Sequence, residues 1–299
     1  MARIDLSGRT AIVTGAGGGL GRAHALALAA HGARVIVNDL GGGKGGAGLV
    51  ADEILSHGGK AIVDGTNITD FAAVTAMVAA VESRFGGVDV LVNNAGILRD
   101  RSFAKMEIED FRAVIEVHLM GSVHCTKAVW AGMRDRQYGR IIFTTSSSGL
   151  FGNFGQANYA AAKMALVGLM QTLRLEGEKY DVRVNCLSPS AATRMTDNLY
   201  EADALLRLDP ARVAPAVVAL SADDAPTGAI LCAGAGSFES AKIMLTQGLV
   251  VDEPDTAAAI LDRWPDIDDR LGAFVPFHGP DQFSYEIERA STYLSPLAG

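Results

Sequence analysis

Residues 10–21 of this 299-residue chain read Thr-Ala-Ile-Val-Thr-Gly-Ala-Gly-Gly-Gly-Leu-Gly. The apolar run at 10–14 predicts a buried strand, and an Ala- and Leu-rich helix is predicted over 20–30. Glycines between a strand and a helix let the backbone approach a pyrophosphate, whose charge is stabilised at the helix N-terminus. A flexible turn is the alternative, but the flanking elements favour a dinucleotide site. The residues predicted to contact the dinucleotide here are Gly15, Gly19, Leu20 and Gly21.

The second predicted strand, 35–39, ends in the carboxylate of Asp39, about 20 residues past the glycines. At that place an acid accepts hydrogen bonds from the adenosine ribose hydroxyls and repels a 2′-phosphate. The glycine loop contains no Lys or Arg, so NAD is predicted in preference to NADP. A turn or a helix N-cap is the alternative for Asp39. Further along the chain, Asn67 is placed to hydrogen-bond the adenine edge, with Ile68 beside it.

Apolar runs alternate with helical patterns along most of the chain, which predicts an α/β fold with a parallel sheet. After a strand at 88–92 comes Asn-Asn-Ala-Gly, where small residues let a cofactor lie against the backbone. Later strands are predicted at 141–143, 183–187 and 229–233. We therefore expect a Rossmann-like, doubly wound parallel sheet that is flanked by helices on both faces. The cofactor contacts predicted in the Asn-Asn-Ala-Gly loop are Asn94, Ala95 and Gly96.

The character of the sequence changes near residue 236, which predicts two regions. Residues 1–236 are expected to form the dinucleotide-binding catalytic domain. Residues 237–299 are expected to form a C-terminal extension that packs on the core or on a neighbouring subunit. In the extension we expect a strand at 243–251 and a short amphipathic helix at 254–264.

Two connecting segments of the catalytic domain are predicted to lie outside regular structure. The glycine-rich stretch 41–48 is expected to be a flexible, solvated loop. Residues 188–196 follow the strand at 183–187 and are placed to cover the nicotinamide. Residues 197–209 have mixed helical character and are expected to form a substrate lid.

A second motif, at 146–163, reads Ser-Ser-Ser-Gly-Leu-Phe-Gly-Asn-Phe-Gly-Gln-Ala-Asn-Tyr-Ala-Ala-Ala-Lys. A helix is predicted over 158–178, so Tyr159 and Lys163 share one face. An ammonium beside a phenol favours the phenolate, so Lys163 is expected to lower the pKa of Tyr159 from about 10. Ser146 ends the preceding strand, where its hydroxyl is placed to hydrogen-bond the substrate oxygen on which Tyr159 would act. Three such side chains can transfer a proton between an alcohol and a ketone. The pattern Tyr-x-x-x-Lys alone, however, is common on helices.

Composition limits the partners that the chain is expected to bind. The formal net charge is −8, which argues against nucleic acid and anionic membranes. Cys125, Cys186 and Cys232 are far apart and form no Cys-x-x-Cys pair, so neither disulfides nor a metal site is predicted. The N-terminal residues lack the apolar run of a signal peptide, and the last residues do not form a peroxisomal signal. A cytoplasmic location is therefore expected.

Two polar features have alternative interpretations. Arg99, Arg101 and Lys105 place three cations shortly after the fourth strand. They form either a local basic patch for an anionic substrate or a solvated loop, and the sequence favours neither. His118 is predicted to face inward on a long helix over 110–134, where a buried histidine is usually structural.

Together these motifs resemble the short-chain dehydrogenase/reductase family. The resemblance covers residues 1–236 and includes the spacing of Ser146, thirteen residues before Tyr159. It implies that Tyr159 is the general acid/base and that Ser146 orients the substrate. Lys163 is then expected to lower the tyrosine pKa and to bind the nicotinamide ribose. The resemblance further implies cofactor contacts for Asn94, Ala191 and, at the carboxamide, Thr193.

Three stretches, 93–103, 117–119 and 152–159, resemble more narrowly the (3R)-hydroxyacyl-CoA dehydrogenase modules of peroxisomal multifunctional β-oxidation enzymes. Gly-Ala-Gly at 234–236 and the late Trp264 match those modules too. This likeness implies the use of NAD, in agreement with Asp39, and a 3-hydroxyacyl-CoA substrate.

Two positions depart from the common family pattern. His118 stands where the family usually has an Asn that supports a proton-relay water, although the hydroxyacyl-CoA branch also carries His there. Pro189 is followed by Ser190 in place of the usual Gly, which changes the loop expected over the nicotinamide.

From these features we expect a homodimeric or homotetrameric NAD-dependent oxidoreductase. It would oxidise a secondary alcohol to a ketone, with the 3-hydroxyl of an acyl-CoA as the expected substrate. A steroid or another lipophilic alcohol is the alternative substrate. A dinucleotide-binding protein without turnover is the alternative of another class, which the intact Ser-Tyr-Lys set disfavours.

Overall fold

A sheet of eight strands, most of them rich in Val and Ile, organises the first of two compact units, Met1–Ala241. The strands are β1 (Thr10–Thr14), β2 (Arg34–Asn38), β3 (Lys60–Asp64), β4 (Val90–Asn93), β5 (Gly139–Thr144), β6 (Val182–Ser190), β7 (Ile230–Gly234) and β8 (Ser237–Ala241). Their order is β3-β2-β1-β4-β5-β6-β7-β8, and all neighbours are parallel except β7 and β8. The structure is a computed structural model that describes residues 4–40, 42–44, 46–192, 207–251 and 254–293.

Helices cover both faces of this sheet. They are α1 (Gly19–Ala30), α2 (Gly46–Ser56), α3 (Phe71–Phe85), α4 (Ile108–Ile115), α5 (Gly121–Asp135), α6 (Ser147–Phe151), α7 (Ala157–Gly177) and α8 (Ala214–Leu220). Successive strand residues point to opposite faces, so Ala11 and Val13 pack with α1, α2 and α8, whereas Ile12 packs with α3, α5 and α7. Strands buried on both faces read as near-continuous apolar runs. The predicted doubly wound α/β fold is confirmed.

The strand order reverses next to β1, which lies between β2 and β4. In open α/β sheets a ligand binds at such a switch point, outside the carboxyl ends of the strands. Here Thr14 joins the two strand ends, because its hydroxyl oxygen accepts the N–H groups of Asn94 (3.0 Å) and Ala95 (3.1 Å). The Asn94 side-chain amide donates in return to the Thr14 carbonyl at 3.0 Å. These hydrogen bonds fix the carboxyl ends of β1 and β4, the edge of the sheet where a ligand would bind.

The long helix predicted over 110–134 is interrupted. Helices α4 and α5 are joined by a π-helical turn, Glu116–Met120. The wider turn directs His118 against Gly96, where an added Cβ would lie 2.2 Å from the imidazole Cε1. Single π-turns in helices are frequent at functional sites.

The last strands extend further than predicted. Strand β6 continues to Ser190, which pairs with Gly234 of β7. A Cβ on Gly234 would lie 2.8 Å from the Cβ of Ser190, so glycine at 234 makes room for the serine. The antiparallel strand β8, which the sequence prediction assigned to the extension, completes the sheet.

The glycine-rich stretch 41–48 was predicted to be a loop throughout, but its second half belongs to a helix. A 3₁₀ turn spans Gly42–Lys44, and α2 already begins at Gly46. A Cβ on Gly46 would lie 2.1 Å from the Gly17 carbonyl oxygen. The prediction of a flexible loop is therefore wrong for its second half, because the small residue lets α2 start against the glycine loop.

The second unit, Lys242–Gly299, contains α9 (Thr256–Asp262), α10 (Trp264–Ile267) and α11 (Pro280–Tyr293). The strand predicted at 243–251 is wrong, because the segment makes only an isolated bridge between Leu245 and Phe274. Side chains of α11 bond its carbonyl groups in place of a strand, as the Tyr285 hydroxyl donates to the Gln247 carbonyl at 2.9 Å. The lid predicted at 197–209 falls mainly on residues 193–206, which lie outside the described residues. Among the described helices, none combines the length and the apolar character needed to cross a membrane.

Candidate active site

A cleft of about 470 Å³ opens at the carboxyl edge of the sheet. It is lined by all the residues predicted to be catalytic or to contact the cofactor, except Thr193, which lies outside the described residues. Those residues are Gly15, Gly19, Leu20, Gly21, Asp39, Asn67, Ile68, Asn94, Ala95, Gly96, Ser146, Tyr159, Lys163 and Ala191. The structure therefore brings two motifs that are far apart in the sequence into one site.

The glycine loop forms one wall of the cleft. Gly15 and Gly19 have positive φ angles of 62° and 52°, a conformation that residues with a Cβ rarely adopt. A Cβ on Gly15 would also lie 2.7 Å from the Cα of Ala95. Helix α1 begins after Gly18 with neither a capping side chain nor an acidic residue in its first turn. Its first N–H groups are therefore available to an anion, as the pyrophosphate of a dinucleotide requires.

Asp39 follows the carboxyl end of β2 and faces the same cleft. Its Oδ2 accepts the N–H of Gly17 at 2.8 Å, which fixes the carboxylate across the glycine loop. An anionic group in this place fits the ribose hydroxyls of a dinucleotide and disfavours a phosphate on that ribose. The glycine wall, the uncapped helix and this carboxylate together fit NAD.

Asn67 and Ile68 lie in the cleft wall beyond β3. The Asn67 side-chain oxygen accepts the N–H and the hydroxyl of Thr69, both at 3.1 Å, and so forms a local turn. Asp70 accepts the Ala73 N–H at 3.0 Å and caps α3. The adenine contact of Asn67 stays a prediction.

Ser146 lies where β5 leads into α6, and it caps that short helix. Its hydroxyl oxygen accepts the N–H of Ser148 at 3.2 Å. A hydrogen bond also joins Ser146 to the Tyr159 hydroxyl, and it lowers the pKa of the phenol. Because this hydrogen bond favours the phenolate, the Ser146 hydroxyl donates it and the Tyr159 oxygen accepts it.

Lys163 is buried on α7, one turn after Tyr159. Its ammonium donates to the Thr144 carbonyl at 2.5 Å and lies 5.5 Å from the centre of the Tyr159 ring. Burial lowers the pKa of Lys163 to about 7, although the neighbouring Cys186 raises it. Burial therefore disfavours the charged form of Lys163 beside Tyr159.

Lys163 was predicted to lower the pKa of Tyr159 below its usual value, and the structure corrects this prediction. Burial raises the pKa of Tyr159 above its usual value of 10, the Ser146 hydrogen bond lowers it, and the Asp100 carboxylate raises it further. The physical reason is that the phenol is largely removed from water, and burial is the largest influence on its pKa.

His118 is buried, as predicted for an inward-facing residue. Its Nε2 lies 3.0 Å from the N–H and 2.8 Å from the carbonyl oxygen of Ile97, so the tautomer decides which bond forms. Burial lowers the pKa of His118 to about 3, and the charge of Lys163 lowers it as well, against the hydrogen bond to Ile97. The imidazole is neutral at physiological pH and anchors the loop after β4.

A polar network beside Tyr159 was not predicted. Gln156 accepts the Ser148 hydroxyl at 2.8 Å and the Asn153 amide at 3.0 Å, and donates to the Asp100 carboxylate at 2.6 Å. The signal that the sequence offered was Gln156 itself, an amide side chain placed directly before a helix that it does not cap. Its partner lies 56 residues away in sequence, so spacing alone could not identify it.

The basic loop after β4 is exposed. The Arg99 guanidinium lies 3.5 Å from the Asp110 carboxylate, and the Arg99 side chain is 56% accessible to solvent. Arg101 and Lys105 are exposed as well. The loop begins directly after Ile97 and Leu98, which line the cleft. Its cations are therefore placed beside the cleft on the described surface.

Comparison with known proteins identifies relatives over most of the chain. The family model for short chain dehydrogenases matches residues 9–204. Peroxisomal multifunctional enzyme type 2 of Mus musculus is 44% identical over 284 residues, which cover 91% of this chain and 38% of the mouse protein. This chain thus spans little more than a third of that relative.

Two solved structures are similar over most of their length. A short chain dehydrogenase from Mycobacterium avium is 40% identical with a TM-score of 0.78, covering 89% of this chain and 98% of that one. A 7α-hydroxysteroid dehydrogenase complexed with NADH and 7-oxo glycochenodeoxycholic acid is 30% identical with a TM-score of 0.72. That match covers 78% of this chain and 95% of the steroid enzyme.

Proposed function

The chain belongs to the short chain dehydrogenase family, and from its site we propose that it is an NAD-dependent oxidoreductase for secondary alcohols, with a 3-hydroxyacyl-CoA as substrate. The observation that carries the proposal is one cleft that joins Ser146, Tyr159 and Lys163 to a glycine loop and a strand-end carboxylate. The first group suits proton transfer at a hydroxyl, and the second suits a dinucleotide.

In the proposed reaction the Tyr159 phenolate takes the proton of the substrate hydroxyl. Ser146 donates its hydroxyl proton to the same oxygen and holds it beside the tyrosine. The Lys163 ammonium, which a hydrogen bond to the Thr144 carbonyl holds in place, stabilises the phenolate. The carbinol carbon loses hydrogen with its electron pair as the ketone forms. When bound, NAD supplies the acceptor for that hydride.

The residues expected to hold NAD form the opposite wall. The N–H groups at the start of α1 would bind the pyrophosphate, and Asp39 would bind the adenosine ribose. The solved steroid enzyme of the same fold was crystallised with NADH, which supports this cofactor class. The choice of NAD over NADP rests on Asp39.

Two observations support the acyl-CoA as substrate. The stretches 93–103 and 152–159 resemble (3R)-hydroxyacyl-CoA dehydrogenase modules, and the chain is 44% identical to part of the mouse enzyme. In addition, a CoA tail carries phosphates, and Arg99 and Arg101 provide exposed cations beside the cleft of an acidic protein. A steroid alcohol is the second candidate, since the 7α-hydroxysteroid dehydrogenase shares the fold at 30% identity.

The test is a substrate panel with the purified chain and NAD. We expect NADH formation, followed by its absorbance, with a 3-hydroxyacyl-CoA, and a much lower kcat/KM with steroids and simple alcohols. Higher kcat/KM with a steroid would favour the second candidate. Tight NAD binding without turnover of any alcohol or of the matching ketones would contradict an enzymatic function.

An assembly of two or four identical chains stays a prediction, which sedimentation velocity would check.

A further inference from the structure

Gln156 fixes the orientation of two other polar side chains in the wall of the cleft. Its amide nitrogen donates to the Asp100 carboxylate at 2.6 Å, and an ionised carboxylate can only accept. The Gln156 side-chain oxygen must therefore point the other way, where it accepts the Ser148 hydroxyl at 2.8 Å and the Asn153 amide at 3.0 Å. Gln156 is buried, which protects these bonds from water and keeps its amide in this one orientation.

The same reasoning fixes the carboxamide of Asn153. Two amide oxygens have no proton to share, so the nitrogen of Asn153 must face the oxygen of Gln156. The side-chain oxygen of Asn153 accepts no hydrogen bond from the described residues. The side chain is exposed and lines the cleft. Asn153 therefore offers a ligand in the cleft a free acceptor whose orientation is set by its neighbour.

Hydrogen bonds connect Asn153 both to the catalytic end of the cleft and to the cationic loop. The Ser148 N–H donates to the Ser146 hydroxyl oxygen at 3.2 Å, and the Ser148 side chain shares its acceptor with Asn153. In the other direction, the Arg101 N–H donates to the Gly155 carbonyl at 2.9 Å. A substrate that extends from the reacting oxygen towards the cations is therefore expected to pass Asn153.

An acyl-CoA presents a hydrogen-bond donor that suits this acceptor. A short linker joins the thioester sulfur to an amide N–H, which lies between the acyl group and the phosphates. We propose that Asn153 is a specificity-determining residue: its side-chain oxygen, oriented by Gln156, accepts a hydrogen bond from this N–H of the substrate. The choice of an acyl-CoA rests on the proposed function, whereas the preference of Asn153 for an N–H group can be measured without turnover.

The test compares two thioesters of the same 3-hydroxyacyl group. One is the N-acetylcysteamine thioester, which carries the amide, and the other is the acetoxyethyl thioester, in which an oxygen replaces the N–H. We expect the wild-type kcat/KM to favour the amide by roughly three- to tenfold, the effect of one neutral hydrogen bond. The preference should appear in KM, because the bond is made equally in the ground state and in the transition state.

Three variants locate the origin of the preference. Asn153→Leu removes the acceptor at similar size and should abolish the preference by raising KM for the amide alone. Gln156→Leu should reduce the preference, because the Asn153 amide is then free to rotate. Gln282→Leu is the matched control, since it removes an exposed amide that bonds Glu286 on α11, and it should keep the wild-type preference. Unchanged NAD affinity shows that each variant is folded.

A wild type without the preference, or a preference that survives in Asn153→Leu, would overturn the proposal. Equal losses on both thioesters in Asn153→Leu would overturn it too, because the residue would then support the loop or bind another part of the substrate. The ketone forms of the two thioesters cannot react with NAD, so ligand-detected NMR with the NAD-loaded chain repeats the comparison without turnover. If the alcohol panel fails but the amide still binds more tightly through Asn153, the proposed function is refuted and the assignment of Asn153 stands.

Discussion

The imidazole of His118 meets the ring of Tyr159 edge-on, with the ring centres 5.1 Å apart and the planes at 89°. Burial keeps this imidazole neutral, since its pKa is lowered to about 3. It therefore supports the tyrosine by packing and by fixing Ile97, without offering a proton at neutral pH. The acid–base chemistry of the cleft is left to Tyr159.

We expect Tyr159→Phe to bind NAD normally and to lose kcat by about 10² or more, since Tyr159 is the group proposed to take the hydroxyl proton. NAD affinity is measured by calorimetry, and turnover by NADH absorbance. Tyr180→Phe is the control, because that phenol does not line the cleft and accepts a hydrogen bond from Arg134 at 2.6 Å. A kcat near the wild-type value in Tyr159→Phe would exclude the mechanism.

Asp39→Ala should weaken NAD binding and narrow the preference over NADP, because a carboxylate that faces a phosphate is repulsive. Asp39 also fixes Gly17, so Asp39→Asn is the sharper variant: it keeps an acceptor for that N–H and removes only the charge. Dissociation constants for both cofactors check the prediction. A wild type that already prefers NADP would show the assignment of Asp39 to be wrong.

Replacing Arg99 and Arg101 together by Ala should raise KM for a 3-hydroxyacyl-CoA, and the effect should shrink as salt rises. KM for a truncated thioester without the nucleotide should hardly change. Arg112→Ala is the control, because it removes an exposed cation from α4, where it pairs with Glu109. Equal losses on both thioesters would mean that the arginines support the fold, for example through the pairing of Arg99 with Asp110.

His24 gives the protein a specific sensitivity to acid. It is fully buried on α1, neither ring nitrogen has a hydrogen-bond partner among the described residues, and burial lowers its pKa to about 3. The unfolded chain therefore binds the proton first, so the free energy of unfolding is complete above about pH 6.5 and falls as the pH drops towards about 3. At about pH 5 the loss from this residue should be about 2 kcal/mol.

Urea unfolding at about pH 7.5 and about pH 5 measures this loss. His24→Leu should abolish the part that belongs to His24, while the exposed His57→Gln should leave the loss unchanged. An acid-induced loss of the same size in His24→Leu and in the wild type would contradict the explanation.

Local patterns in the sequence were sufficient to predict the parallel sheet and the main motifs of the site. The apolar runs located β1, β2, β4 and β5, and the four-residue spacing placed Tyr159 and Lys163 on one face of α7. The π-turn around His118 was not predicted, because the pattern over 110–134 was interpreted as one continuous helix. His118 in this turn packs against Gly96, a residue of another loop, and local spacing does not show such a contact.

The errors arose where tertiary contacts decide the outcome. The segment 243–251 is apolar enough for a strand, yet α11 supplies hydrogen-bond donors to its carbonyl groups. The direction of the Tyr159 pKa shift was predicted from its neighbour on the helix, whereas burial has the largest effect on it. Pairwise spacing carries no information on either effect.

The contact between Ser190 and Gly234 limits how this site can evolve. A Cβ at 234 would lie 2.8 Å from the Ser190 Cβ and 3.0 Å from the Ser190 carbonyl oxygen, so a larger residue at 234 requires the neighbouring strand to shift. Ser190, the residue that sets this limit, lines the cleft.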